Sequence, residues 1–175
     1  MRNFICIAAA AVMLLSASCG KKEEIKHAPL DAKALFTQDD AVKILGYEPA
    51  QTFEDGYVKS TVRYDSKPIG KDPIIVELYS YDSKKSTGDI YDELKRKHSL
   101  RTDSEEISDF DAEAFIAYPS VNIYKDGYMA VVTAGSGADD AQKQLLTEVG
   151  GIVAQNLNDY ILKHPTDGDL TNSSK

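Results

Sequence analysis

Residues 121–135 read VNIYKDGYMAVVTAG. Two alternating apolar runs flank Asp126-Gly127, a dipeptide suited to the positive φ angles of a two-residue hairpin turn. Just upstream, residues 114–118 (AFIAY) read as a further strand, ended by Pro119, which cannot donate to a ladder. Downstream, residues 139–163 switch to helical spacing, with Ala141, Leu145, Val149, Ile152, Val153, Leu157, Tyr160 and Ile161 on one stripe. Gly150-Gly151 interrupts that helix at a cost of about 1 kcal/mol each relative to alanine. Close approach of the helix backbone to a sheet accounts for them most simply; a kink is the alternative. Pro165 ends the helix.

The region before the hairpin has the same two periods. FTQDDAVKILG, residues 36–46, is a short helix with Thr37 as N-cap, Asp39 and Asp40 in the first turn and Gly46 as the stop. Residues 57–66 alternate, with Val58, Ser60, Val62 and Tyr64 on one face and Lys59, Thr61, Arg63 and Asp65 on the other. A second strand follows, with Ile74, Val76 and Leu78 inward. Ile75, Glu77, Tyr79 and Tyr81 lie opposite, on a partly aromatic face that calls for partial cover. YDSK occurs at 64–67 and at 81–84, and turn chemistry at strand ends explains both copies. Residues 86–100 form a second helix, with Ile90 and Leu94 on one face beside Tyr91 or His98. The predicted fold is α+β, in the order α-β-β-α-β-β-β-α. It has a mainly antiparallel sheet of about five strands, with the helices packed on one face.

The first 18 residues, MRNFICIAAAAVMLLSAS, have a charged start, an uncharged run over 4–15 and small residues at the end. The run is too short to span roughly 30 Å of hydrocarbon as a helix; it has the layout of a secretory signal. The following Cys19 makes the stretch resemble the lipobox of bacterial lipoproteins, in which a leucine and two small residues precede a cysteine. Here Ser16, Ala17 and Ser18 precede it, with Leu15 one step further back. The resemblance implies that Cys19 is the lipidated residue, cleaved to become the mature N-terminus and fastened by acyl chains. The other cysteine, Cys6, leaves with the signal, so no disulfide is expected. The expected organisation is a signal peptide at 1–18, a lipidated N-terminus and tether at 19–34, one α+β domain at 35–164 and a flexible tail at 165–175. Lys21-Lys22-Glu23-Glu24 reads as solvated spacer, or as an export signal to the cell surface. The domain also resembles a broad class of bacterial lipoproteins of unknown function. Thr37, Asp40, Ala41, Ile44, Leu45 and Gly46 match their opening motif. Asp111, Glu113, Ala114 and Phe115 partly match a later one.

The chain is 42% apolar and 27% charged, which is globular, and its net charge of −8 opposes binding to nucleic acid or an anionic surface. The three histidines, His27, His98 and His164, have no metal-ligand spacing. TAGSGADDA, residues 133–141, lacks the lysine of a phosphate loop, and Asp139 and Asp140 stand where an anion would sit. Ser136 is the expected N-cap there. Asp109, Asp111 and Glu113 alternate like calcium ligands but lack the loop glycine and the closing glutamate. A solvated acidic loop is the simpler reading of residues 103–113. Ten tyrosines and no tryptophan are present. Tyr79, Tyr81, Tyr124 and Tyr128 lie on strands, as contact residues or as caps on the sheet edge.

Together these features predict a lipid-anchored, extracytoplasmic lipoprotein, at the outer membrane or cell surface if the cell is Gram-negative. Its domain is expected to be a non-enzymatic binding or interaction module without a cofactor. Its partners are the membrane, through the N-terminal lipid, and an envelope protein, glycan or small ligand, with no nucleic acid. The alternatives are an envelope assembly or structural factor, and an enzyme using carboxylates from 103–113.

Overall fold

The computed structural model describes residues 29–65, 72–100 and 104–165. Cys19, Cys6, His27 and Asp103 lie outside the described residues, as do the signal, most of the tether and the tail. The elements are α1 (Gln38–Leu45), β1 (Ala50–Glu54), β2 (Lys59–Asp65), β3 (Ile74–Tyr79), α2 (Lys84–His98), β4 (Ser104–Ile107), β5 (Glu113–Ala117), β6 (Ser120–Lys125), β7 (Tyr128–Ala134) and α3 (Asp140–Lys163). A single 3-10 turn, Ala32–Ala34, precedes α1. Leu30 and Ala32, expected in the tether, are buried in the core.

All the strands form one antiparallel sheet of seven, in the order β1-β2-β3-β7-β6-β5-β4. The α+β class and antiparallel pairing follow the expectation; the strand count of about five does not. The two additional strands are the two edges. β1 is exposed at every residue and β4 is acidic and exposed at its centre, so neither carries the in-out alternation of a half-buried strand. Joining the neighbouring inner strands β6 and β7, Asp126 and Gly127 take φ angles of 47° and 87° in the predicted turn.

The helices do not share a face. α3 and the 3-10 turn close one side, where Leu146, Val149, Val153 and Leu157 join Val62, Val76, Leu78, Ile116, Val121, Ile123, Ala130 and Val132 in the main core. α2 packs on the other side, with Tyr91 against Phe115, Ala117 and Met129. The expectation of one covered face fails because β5 and β7 are buried on both faces. Ala114 and Ile116 point to α3, Phe115 and Ala117 to α2. Each large side chain so buried contributes about 1.5–3 kcal/mol.

Helix ends follow their residues. Thr37 caps α1 in a capping box with Asp40, and Gly46 closes it with φ 76°. Ser83 caps α2. At α3 the N-cap is Asp139, whose carboxylate accepts from Gln142 N, and not Ser136, which is exposed. Ala141 is accordingly exposed, and Gln142 is the buried residue of that turn, its side chain lying over Gly135.

Candidate functional site

The described acidic residues of 103–113 do not converge. Glu105 pairs with Lys143 at 2.5 Å, Glu106 with Lys95 at 2.9 Å and Asp111 with Lys125 at 2.8 Å. Three lysines on three different elements draw them apart. The Lys125 ammonium holds the Asp111 carboxyl below the usual carboxylate range, chiefly through their hydrogen bond. Asp109 accepts from the Ser108 hydroxyl at 3.3 Å. Among the described residues no three His, Cys, Asp or Glu side chains are grouped to hold a metal ion. His98 lies by the Phe115 ring and His164 stacks on Tyr160, 4.3 Å between centroids. The glycine-rich turn before α3 presents Asp139 as a cap, so its first turn is already satisfied by a carboxylate.

Of the four tyrosines expected on strands, Tyr81 falls two residues past the end of β3, and the other three separate by their surroundings. Tyr128 belongs to the main core, where its ring meets Tyr160 edge-on and its hydroxyl donates to the His164 carbonyl at 2.6 Å. Tyr124 lies under α2, stacked on Tyr91 at 5.3 Å. Both are packed inside, so neither serves as an exposed contact residue, one of the two roles considered for them. Tyr79 is half-buried at the margin of the α2 cluster, and Tyr81 is half-buried beside it, its N–H donating to the Thr87 hydroxyl of α2 at 3.0 Å; their rings stack 6.2 Å apart with an interplanar angle of 11°.

These two tyrosines mark a half-open face. α2 makes its closest packing with β6 and β7, and on the same face of β2 and β3, among the described residues, Arg63 is exposed while Thr61, Ile75, Glu77 and Tyr79 are half-buried. Cross-strand register places Thr61 beside Glu77, Arg63 beside Ile75 and Lys59 beside Tyr79. Lys59 pairs with Glu77 and sits 5.4 Å from the Tyr79 ring centre. Tyr79 donates its hydroxyl to Glu77 at 3.1 Å. The bond to Glu77 raises the Lys59 pKa, and burial followed by the Glu77 charge raises that of Tyr79. Arg63 Nε reaches Asp65 at 2.7 Å. The strip therefore offers stacked aromatic rings, balanced charge and hydrogen-bond donors and acceptors on a rigid floor. It suits stacking and hydrogen bonding, and it presents no nucleophile joined to a base.

Behind it, the Tyr91 hydroxyl is fully buried between α2 and the sheet with no hydrogen-bond partner. Burial raises its pKa strongly, and the charges of Glu113 and Glu106 add to the effect. The length of β5 and β7 as near-continuous apolar runs (EAFIA and YMAVVTA) was the available signal for this second core.

The architecture defines an α+β domain whose single antiparallel sheet is closed on one face and half closed on the other. None of the family models, curated proteins or solved structures compared with this chain matches it. Among the described residues no helix is long and apolar enough to cross a membrane.

Proposed function

We propose that this chain is a bacterial lipoprotein anchored through acylated Cys19, whose extracytoplasmic domain is a non-enzymatic interaction module. The contact surface is the open half of the second face, built from Thr61, Arg63, Ile75, Glu77, Tyr79 and Tyr81. The observation that carries this reading is the stacked, half-buried Tyr79–Tyr81 pair beside Lys59 and Glu77 at the margin of the α2 cover. Small molecules bind in concave sites, whereas this surface is an open sheet face. It therefore favours a macromolecular partner in the envelope, a protein or a glycan chain. A role in envelope assembly draws on a further feature: both sheet edges, β1 and β4, have exposed residues along them and, among the described residues, a ladder side that no further strand pairs. The carboxylate-enzyme reading has less support, since Glu105, Glu106 and Asp111 are each committed to a different lysine.

The test is a photo-crosslinking residue placed at Thr61 or Tyr81 in the intact cell, with Gln155 on the exposed side of α3 as control. The reading expects a discrete adduct from 61 and 81 that is missing from 155. Identical adducts from all three positions, or none from 61 and 81, would contradict it.

A further inference from the structure

One end of the sheet gathers the β1–β2 turn, the β6–β7 turn and the last turn of α3. The chain enters the fold at the same end. Leu30 N donates to Gly56 O at 2.7 Å, and Asp31 N donates to the Tyr160 hydroxyl at 3.3 Å. Tyr128, which starts β7, holds the His164 carbonyl there. The large apolar side chains exposed among the described residues are Phe53, Tyr57, Val58, Leu100 and Leu162. All except Leu100 border this entry point. Tyr57 is 67% exposed and Leu162 81%. Leu100 follows α2, which begins beside the β6–β7 turn, where Lys84 touches Gly127, and runs away from it past Phe115.

We infer that this end is a bilayer-docking face, with Tyr57, Val58, Leu162 and the neighbouring Phe53 seated in the lipid interface. The occupant follows from the tether. Eleven residues, 19–29, separate the fold from and include Cys19, and an extended chain of that length reaches at most about 40 Å. A bilayer holding acyl chains on Cys19 is thus the surface kept nearest to Leu30. Tyrosine suits the headgroup level, with its ring in the apolar boundary and its hydroxyl wet. Glu54, Asp55 and Asp159 flank the patch together with Lys33, which pairs with Asp55 at 3.9 Å, and the exposed Lys59 and Lys163; the flank is balanced and the chain as a whole is acidic, so the matching surface is zwitterionic. The inference deepens the lipid-anchor reading and rests on it for its place in the cell.

Because the chain contains no tryptophan, single tryptophans report position directly. A chain starting at Cys19 contains the whole described fold and has Cys19 as its one thiol. That thiol can be coupled to maleimide lipid in phosphatidylcholine vesicles, which makes the result independent of cellular acylation; failure of the anchor itself shows separately in fatty-acid labelling. Brominated acyl chains then quench any indole in the interface. Tyr57→Trp and Leu162→Trp are expected to lose most of their emission and shift to the blue, Leu100→Trp to do neither. Replacing part of the lipid with phosphatidylglycerol should weaken the quenching at 57 and 162. Quenching at 57 and 162 no greater than at 100 would overturn the inference. So would a concentration-dependent blue shift of Tyr57→Trp without vesicles, which would assign the patch to a second copy of the chain.

Discussion

Gly150 of α3 lies against Val121 of β6 so closely that a methyl group on it would sit 2.9 Å from Val121 Cγ1 and 3.2 Å from the Phe110 ring. Its neighbour Gly151 has only Phe110 nearby, at 3.6 Å, an ordinary contact. The two glycines therefore predict opposite substitutions. Gly151→Ala gains helix propensity of about 1 kcal/mol and should raise Tm. Gly150→Ala gains the same but overpacks the helix–sheet seam, at about 1–3 kcal/mol, and should lower it. Thermal unfolding of the two variants checks the sign of each.

Two buried tyrosines also diverge. Tyr91 buries a hydroxyl with no partner, which costs about 1–3 kcal/mol in desolvation; Tyr91→Phe should raise stability by an amount of that order. Tyr64 donates to the Phe36 carbonyl and accepts from Gln51. Tyr64→Phe leaves the carbonyl without that donor and should lower stability by about 1–3 kcal/mol. Urea unfolding of both variants supplies the comparison.

Alkaline pH acts through the same group. Burial pushes the Tyr64 pKa from 10.0 up to about 12. Above pH 10 the unfolded chain loses this proton first, so the folded state holds more protons and stability falls as pH rises. Tyr64's contribution is fully present below pH 10 and is lost between 10 and about 12. Burial raises Tyr79, Tyr91 and Tyr160 in the same direction. Unfolding midpoints across this range should decline, and Tyr64→Phe should decline less steeply.

The acidic loop yields a calorimetric prediction. With Glu105, Glu106 and Asp111 paired to separate lysines, titration with calcium should give no saturable heat at millimolar concentration. Asp111→Asn should leave the unfolding midpoint close to that of the unmodified chain, because exposed pairs are worth little. Saturable calcium heat that Asp111→Asn removes would revive a ligand role for this segment.

What was legible in the sequence was whatever local chemistry enforces. Asp126-Gly127 needs positive φ, Thr37 with Asp40 builds a cap, and Gly46 closes a helix; all three stand as predicted. The alternation of β2 and β3 likewise placed Val62, Tyr64, Ile74, Val76 and Leu78 in the core. β1 and β4 were not legible, because an exposed edge strand needs no apolar face and is held by its neighbour's backbone. The second core was missed because Tyr91, on a polar helix, is buried only through its match with Phe115 and Met129 on distant strands. Of the candidate surface, Tyr79 and Tyr81 were readable as outward. That Tyr124 and Tyr128 fall under different helices depends on which face each helix covers, and no local pattern encodes that.

The proposed attachment of this domain to a membrane through Cys19 is best examined by labelling growing cells with a tagged fatty acid. The wild-type chain should carry label and sediment with the envelope, and Cys19→Ala should be unlabelled and released from it. Equal labelling of the two chains would contradict the claim.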